Sequence, residues 1–144
     1  LLSLVSRAKF LSIETFFDQL DNPPPGKKIC AYGVHVDQVA NEVFIFQDRV
    51  DGTDCSASDD KYDESSDDAK LMSELDFLNI DERILFIHES PDTTLVDVIF
   101  IPPDPDVVIN SPFDINSASV KIGLVDDVNS FTITVNKSGQ IERE

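Results

Sequence analysis

A run of carboxylates is the feature of this sequence best suited to chemistry. The stretch Asp48–Asp68 (DRVDGTDCSASDDKYDESSDD) places acidic residues among Ser and Gly, with almost no apolar side chains. Carboxylate oxygens are the ligands that calcium prefers, and the opening D-x-x-D-G-x-D partly matches a calcium loop, although the spacing is not that of an EF-hand. We therefore expect either a solvated acidic loop or a calcium site. The candidate calcium ligands are Asp48, Asp51, Asp54 and Asp63.

The sequence contains none of the common catalytic motifs. There is no G-x-S-x-G elbow, no G-x-x-x-x-G-K-[ST] phosphate loop and no H-E-x-x-H metal motif. The two histidines, His35 and His88, lie in separate strand-like runs, which favours ordinary sheet histidines over a catalytic pair. Carboxylate pairs are expected by chance in a chain this acidic. We predict that the protein has no catalytic residues and is not an enzyme.

The two cysteines, Cys30 and Cys55, limit the thiol chemistry that is available. They are too few for a disulfide-framework fold, and no nearby thiol or histidine completes a zinc site. A single bridge is compatible with an exported domain, which meets oxidising conditions. We predict a Cys30–Cys55 disulfide that ties the acidic loop to the rest of the domain.

The charge balance excludes one class of partner. The 144 residues include 11 Lys and Arg against 28 Asp and Glu, a formal net charge of −17. Such a surface repels nucleic acid and anionic membranes, so no nucleic-acid partner is expected. It also opposes packing with further copies unless salt, a divalent cation or a basic partner screens the charge.

The residues from Leu1 to Leu20 are predicted to form a helix. They contain no Gly or Pro, and their apolar residues recur at mixed spacings of three and four, up to a Pro-rich break at Asp21–Gly26. The apolar set is wider than a one-sided stripe. We expect one side to pack on the domain through Val5, Ala8, Ile13 and Phe16 or Phe17, and some apolar residues near the helix start to be exposed.

After the break, the apolar period changes to two, which is typical of strands. The short runs are bounded by Asp, Asn, Pro, Ser or Gly and suggest antiparallel pairing. The predicted fold class is α+β: an N-terminal helix packed on an antiparallel β-sheet or on a two-sheet sandwich, in a single domain over residues 1–144, with the helix at 1–20 and a β-rich part at 27–144. The predicted strands are Ile29–Asp37, Glu42–Gln47, Lys70–Leu78, Arg83–Glu89, Leu95–Ile101, Asp106–Asn110, Ser117–Val125, Ser130–Asn136 and Gln140–Arg143.

Several segments, in order, resemble a known family. After the helix come YGVHVD (Tyr32–Asp37), VFIFQD (Val43–Asp48) and KYD (Lys61–Asp63), and later VIFIPPDP (Val98–Pro105) and ITVNKSGQIE (Ile133–Glu142). This progression is similar to the "YGIHF … YILFAD … YD", "F-x-P-P-D-P" and "ITVN-x-x-G-x-I" segments of bacterial type IV pilin-like proteins. The nearest members are the minor pseudopilins of type II secretion and related minor pilins.

The resemblance implies a structural subunit of a pilus-like or pseudopilus filament. In that family a hydrophobic N-terminal helix follows a prepilin peptidase site, and Leu1–Leu20 would be the second half of that helix. The implied partners are other pilin or pseudopilin subunits and, through the missing half-helix, the inner membrane; the implied location is the periplasm or the cell surface. The cysteines and the long acidic loop depart from the family pattern.

An alternative function is an acidic, calcium-dependent surface binding or adhesion module. In that case the acidic loop and the segment Pro102–Pro105 would form a recognition edge. The encoded precursor separates the two hypotheses, because a short basic leader ending in Gly and followed by about 20 apolar residues is expected only of the filament subunit.

Overall fold

The structure, a computed structural model, describes residues 1–18, 24–64, 68–80, 83–87, 94–103, 106–111, 116–124 and 129–144, and for residues 16–18, 79 and 85 it describes the backbone alone. The described residues form α1 (Leu2–Asp18), β1 (Lys27–Asp37), β2 (Glu42–Asp51), β3 (Ala69–Lys70), β4 (Phe77–Asn79), β5 (Ile84–Phe86), β6 (Asp97–Ile101), β7 (Asp106–Asn110), β8 (Ser117–Leu124), β9 (Ser130–Asn136) and β10 (Ile141–Arg143).

Two antiparallel sheets contain all of these strands. The first sheet has the order β3-β2-β1-β6-β7, with β4 also paired to β2, and the second has the order β10-β9-β8-β5. The helix packs mainly against β1 and β6 of the first sheet. The predicted α+β class, with one N-terminal helix on antiparallel sheet structure, is therefore confirmed.

One face of α1 is buried against the first sheet. Leu4, Val5 and Ala8 are almost inaccessible to solvent, as their spacing of three and four requires. The buried hydroxyl of Ser12 donates a hydrogen bond to the carbonyl oxygen of Phe100 on β6, at 2.9 Å. The helix is thus fixed by apolar packing and by a buried polar contact with the central part of the sheet.

The predicted helix contacts are confirmed in part. Val5 and Ala8 are buried, Ile13 is only half-buried, and the side chains of Phe16 and Phe17 lie outside the described residues. The main core cluster takes residues from α1 and from both sheets: Leu4, Val5, Ala8, Tyr32, Val34, Val43, Ile45, Val98, Phe100, Val107, Ile109, Ala118, Val120 and Val135.

The outer face of the first sheet, opposite α1, is also apolar. Side chains alternate along a strand, so the neighbours of the core residues on β1, β2 and β6 point to this outer face. There Ala31, Phe44, Phe46 and Ile99 form a second buried cluster, against which Tyr62 packs. Since a sheet needs cover for an apolar face, the chain segment that carries Tyr62 has a structural role.

Most predicted strands are found, with two corrections. The run Lys70–Leu78 is not one strand but β3 and β4, because Asp76 accepts a hydrogen bond from the hydroxyl of Ser73 and closes a turn between them. The predicted loop does not begin at Asp48, because β2 continues to Asp51 by pairing with the start of β1. The end of the predicted strand Arg83–Glu89 lies outside the described residues.

Among the described residues, no helix combines the length and the apolar character that crossing a bilayer requires.

Candidate functional site

The exposed face of α1 is the first candidate site. Leu2 and Phe10 are 44% and 53% exposed, and Ser3 and Ser6 are exposed on the same side of the helix. Positions 2, 6 and 10 follow the four-residue spacing of a single helix face. Two large apolar side chains that face solvent beside small serines, on a helix whose other side is buried, form a surface suited to contact with another protein.

An ion pair fixes the orientation of this helix face. The Arg7 guanidinium donates to the carboxylate of Asp76, which lies in the turn between β3 and β4. The pKa of Arg7 is raised above its usual value, mainly by this hydrogen bond. Because Asp76 is buried, the contact connects α1 to the edge of the first sheet and leaves Phe10 and Leu2 turned outward.

The second candidate site is the acidic segment Gly52–Glu64, which we call the strap. Its Cys55 is bridged to Cys30 on β1, with the sulfur atoms 2.12 Å apart and the Cα atoms 5.5 Å apart. The predicted disulfide is therefore confirmed. Cys30 lies where the β1–β2 register shifts between Ile29 and Ala31, as at a β-bulge.

Tyr62 holds the far end of the strap over the outer face of the first sheet. Its ring centroid lies 4.8 Å from that of His35, 5.0 Å from Phe44 and 5.2 Å from Phe46. Burial, together with the charges of Glu64 and other nearby carboxylates, raises the pKa of Tyr62. The phenol is therefore neutral, and its ring serves as an apolar anchor.

Hydrogen bonds complete the attachment of the strap. The side-chain amide of Asn110, on β7, donates to the carbonyl oxygen of Asp60 at 2.6 Å. The Ser58 hydroxyl donates to Asp48 Oδ2 at 2.6 Å, and the Asp63 amide donates to Asp68 Oδ2 at 2.9 Å. The segment is an irregular loop with most of its residues exposed, as the composition suggests, and one aromatic residue and several polar contacts attach it to the sheet.

Asp48 is a buried carboxylate beneath the strap. Its pKa is raised from 3.8 to about 6, chiefly by burial, and further by the charges of Asp68, Asp60 and Asp59; the hydrogen bond from Ser58 acts in the opposite direction. Near neutral pH the residue is therefore charged in an unfavourable environment. Closing the strap carries an electrostatic cost at this position.

The four predicted calcium ligands have different surroundings. Asp48 is buried on β2, whereas Asp51 is exposed and pairs with Lys27 at 2.7 Å. Asp54 is exposed, and its hydrogen bonds from Ser56 lower its pKa. In the described part of the chain, no group of three or more His, Cys, Asp or Glu residues is arranged to hold a metal ion. Calcium binding by these four residues thus stays a prediction.

A pair that sequence reasoning missed lies next to Tyr62. His35 Nδ1 and Asp97 Oδ1 are 2.7 Å apart, and Asp97 is buried and also accepts a hydrogen bond from Asn110 at 3.4 Å. A carboxylate that orients an imidazole occurs in catalytic triads and in purely structural pairs. The signal in the sequence is the single acid in the apolar run LVDVIFI. His88, the other histidine, lies outside the described residues.

The helix face, the strap and the His35–Asp97 pair are the features of the fold that a function could use. A comparison with protein-family models, with curated proteins and with solved structures found no match.

Proposed function

We propose that this domain is the head of a structural subunit of a type IV pilus-like or type II secretion pseudopilus filament. It acts through assembly and protein–protein contacts and has no catalytic role. The observation that carries the proposal is the division of α1 into a buried face and a face on which the apolar side chains of Leu2 and Phe10 are exposed. In this proposal the two sheets pack as a sandwich behind the helix.

The occupant of the exposed face is α1 of a neighbouring subunit. Helices pack by fitting the side-chain ridges of one between those of another, and the small side chains of Ser3 and Ser6 leave room for close approach beside Phe10. Packing against a second helix also accounts for the exposure of Leu2 and Phe10, which the described residues of the domain leave 44% and 53% accessible.

The charge distribution supports contact through α1. The domain carries −17, which opposes the close approach of copies through most of its surface. The helix is balanced, with two basic and two acidic residues, so its charge is 2 − 2 = 0 and the excess negative charge lies elsewhere. The charged residues of α1 are Arg7, Lys9, Glu14 and Asp18.

The disulfide supports a location outside the cytoplasm. Bridges such as Cys30–Cys55 persist in oxidising compartments, which include the periplasm and the cell surface. We propose that the subunit resides there, held in the inner membrane before assembly by a hydrophobic half-helix that precedes the sequence described. Its partners are other pilin or pseudopilin subunits.

Photo-cross-linking in the native cell tests the proposal. Benzoylphenylalanine replaces Phe10 in one variant and Val39 in a matched control, since Val39 is an apolar residue that is 98% exposed in the turn between β1 and β2. We expect the probe at position 10 to form cross-links to further copies or to other filament subunits, and the probe at position 39 to form far fewer. Equal yields at the two positions, or none at position 10, would contradict the proposal.

The second candidate function is an acidic, calcium-dependent surface binding or adhesion module. The observation that favours it is Asp48, a buried carboxylate with the acidic neighbours Asp59, Asp60 and Asp68. A bound divalent cation would relieve this repulsion and stabilise the fold by mass action. Titration with millimolar calcium at fixed ionic strength tests it. We expect calcium to raise the melting temperature of the wild type, and the rise to be smaller in Asp48→Asn, which removes the central carboxylate. An unchanged melting temperature with no calorimetric heat would contradict it.

A further inference from the structure

We propose that the strap, Gly52–Glu64, is a redox-released cover. The Cys30–Cys55 disulfide holds it closed over the outer face of the first sheet, and reduction of the disulfide by a dithiol opens it. Opening exposes the surface formed by His35, Phe44 and Phe46. This inference does not depend on the proposed filament function.

The closed strap covers a defined surface. Tyr62 is the aromatic residue of the strap, and its ring contacts His35, Phe44 and Phe46 together. Beneath it, Phe44 and Phe46 are buried, and the side chain of His35 keeps only 16% of its area exposed. Removing Tyr62 from this position would therefore expose an aromatic surface with an oriented imidazole.

Electrostatic repulsion opposes closure. The strap contains five acidic residues and one lysine, a net charge of 1 − 5 = −4. It closes over a sheet that contributes the buried Asp48, and Asp59 and Asp60 of the strap disfavour the charged form of that carboxylate. Closure is favoured by the packing of Tyr62, by the hydrogen bonds made at Ser58, Asp60 and Asp63, and by the covalent bridge. Of these interactions, the Cys30–Cys55 disulfide is the one that a cell can remove by a chemical reaction, namely reduction.

The two sulfur atoms differ in access. Cys30 is 5% exposed, whereas Cys55 lies on the partly exposed strap. A reductant thiolate can therefore attack Cys55 Sγ, forming a mixed disulfide as the bond to Cys30 breaks and Cys30 leaves as a thiolate that takes up a proton. The second thiol of the reductant then displaces Cys55. The net reaction transfers two electrons and two protons from the dithiol, which becomes a disulfide, to Cys30 and Cys55.

After reduction, the start of the strap keeps its attachment to β1 and to the residue that precedes it. Lys28 Nζ donates to the carbonyl oxygen of Thr53 at 3.0 Å, and the Gly52 amide donates to the carbonyl oxygen of Gly26 at 2.9 Å. Opening is therefore expected beyond Thr53, as a swing of the residues that include Cys55 and Tyr62. The strap contributes no strand to either sheet, so we expect the sheets and α1 to remain folded when it opens, with a lower free energy of unfolding.

Limited proteolysis with trypsin tests the proposal. Lys61 is the lysine of the strap, and Lys137, exposed in the turn between β9 and β10, is an internal reference site. We expect reduction to speed cleavage after Lys61 by about tenfold, because the strap regains freedom that the bridge had removed, and to leave the rate after Lys137 unchanged. The Cys55→Ser variant should be cleaved at the fast rate with or without reductant.

The possible outcomes separate a cover from a general loss of stability. An unchanged rate at Lys61 after complete reduction would overturn the proposal, and so would an equal increase at Lys61 and Lys137. Modification of His35 by diethyl pyrocarbonate, read by peptide mass, provides a second measurement. It should increase on reduction, and in the oxidised Tyr62→Ala variant it should be fast already. Loss of the far-ultraviolet circular dichroism of the folded protein on reduction would also overturn the proposal.

Discussion

Replacing Gly33 with Ala probes the packing beneath the strap. Gly33 lies on β1, and a Cβ atom at this position would lie 2.5 Å from both Cε1 and Cζ of Phe46 and 3.0 Å from Cγ1 of Ile99. Phe46 and Ile99 are completely buried. The ring of Phe46 lies across the position that a side chain on residue 33 would occupy, so the strand tolerates only glycine without a shift.

The structure sets the size of the effect. An extra carbon forced into a filled core costs about 1–3 kcal/mol. We expect Gly33→Ala to lower the free energy of unfolding by about 2–3 kcal/mol, at the upper end of that range, because Tyr62 packs on Phe46 with ring centroids 5.2 Å apart and limits its movement. This loss exceeds the gain of roughly 0.5–1 kcal/mol that Ala has over Gly in a strand interior.

Urea unfolding, with Gly123→Ala as a matched control, measures the effect. A Cβ at Gly123 on β8 would lie 2.9 Å from Cδ1 of Ile87, the far end of a flexible side chain that can turn away. We expect this control to stay within about 1 kcal/mol of the wild type. In a Phe46→Leu background the penalty of Gly33→Ala should shrink by about 1 kcal/mol or more, because the two sites are in contact. Equal effects of the two glycine substitutions would refute the described packing.

Two further predictions follow from the strap and its disulfide. The pKa of Asp48 is raised from 3.8 to about 6 in the folded protein, so the protonated side chain stabilises the fold below pH 3.8, and this contribution is lost as the pH rises through about 6. At about pH 7.5, Asp48→Asn should therefore unfold at a higher urea concentration than the wild type. The difference should shrink towards about pH 4.5. A wild type that is the more stable of the two at the higher pH would contradict this. Replacing Cys30 and Cys55 by Ala should lower the free energy of unfolding by about 3.5 kcal/mol, because the bridge closes a loop with a sequence separation of 25 and so restricts the unfolded chain. If the urea midpoints of this variant and of the oxidised wild type coincide, the bridge adds no stability.

Local features of the fold could be predicted from the sequence. Apolar spacing and Pro or Gly breaks are local signals, and they indicated α1, the β1–β2 hairpin and the later strands close to their observed bounds. The disulfide was predictable because the chain offers a single pairing of Cys30 with Cys55. The split of Lys70–Leu78 into two short strands was missed, since a turn closed by Ser73 and Asp76 has no strong signal in its residue types.

Long-range features could not be predicted in the same way. The pairing of β1 with β6 brings His35 beside Asp97 across 62 positions of the chain, and no periodicity contains that information. The strap has the composition of a solvated loop, and its attachment depends on Tyr62 and on a hydrogen bond from Asn110, 50 residues away from Asp60. The outer apolar cluster that Tyr62 contacts depends on the strand register, because the register places Ala31, Phe44, Phe46 and Ile99 side by side on one face of the sheet.

The central claim is that the domain assembles through the exposed face of α1, and its most direct test is the filament fraction of the native cell. Surface filaments are sheared and sedimented, periplasmic filaments are recovered by chemical cross-linking and sedimentation, and both fractions are probed for the wild-type chain, for Phe10→Glu and for the matched control Val39→Glu, each at equal total cellular level. Both side chains are exposed, so neither change should unfold the domain. We predict that the wild type and Val39→Glu are found with the filaments and that Phe10→Glu is not. The claim would be contradicted if the wild-type chain never sedimented with filaments, or if Phe10→Glu were as abundant there as the wild type.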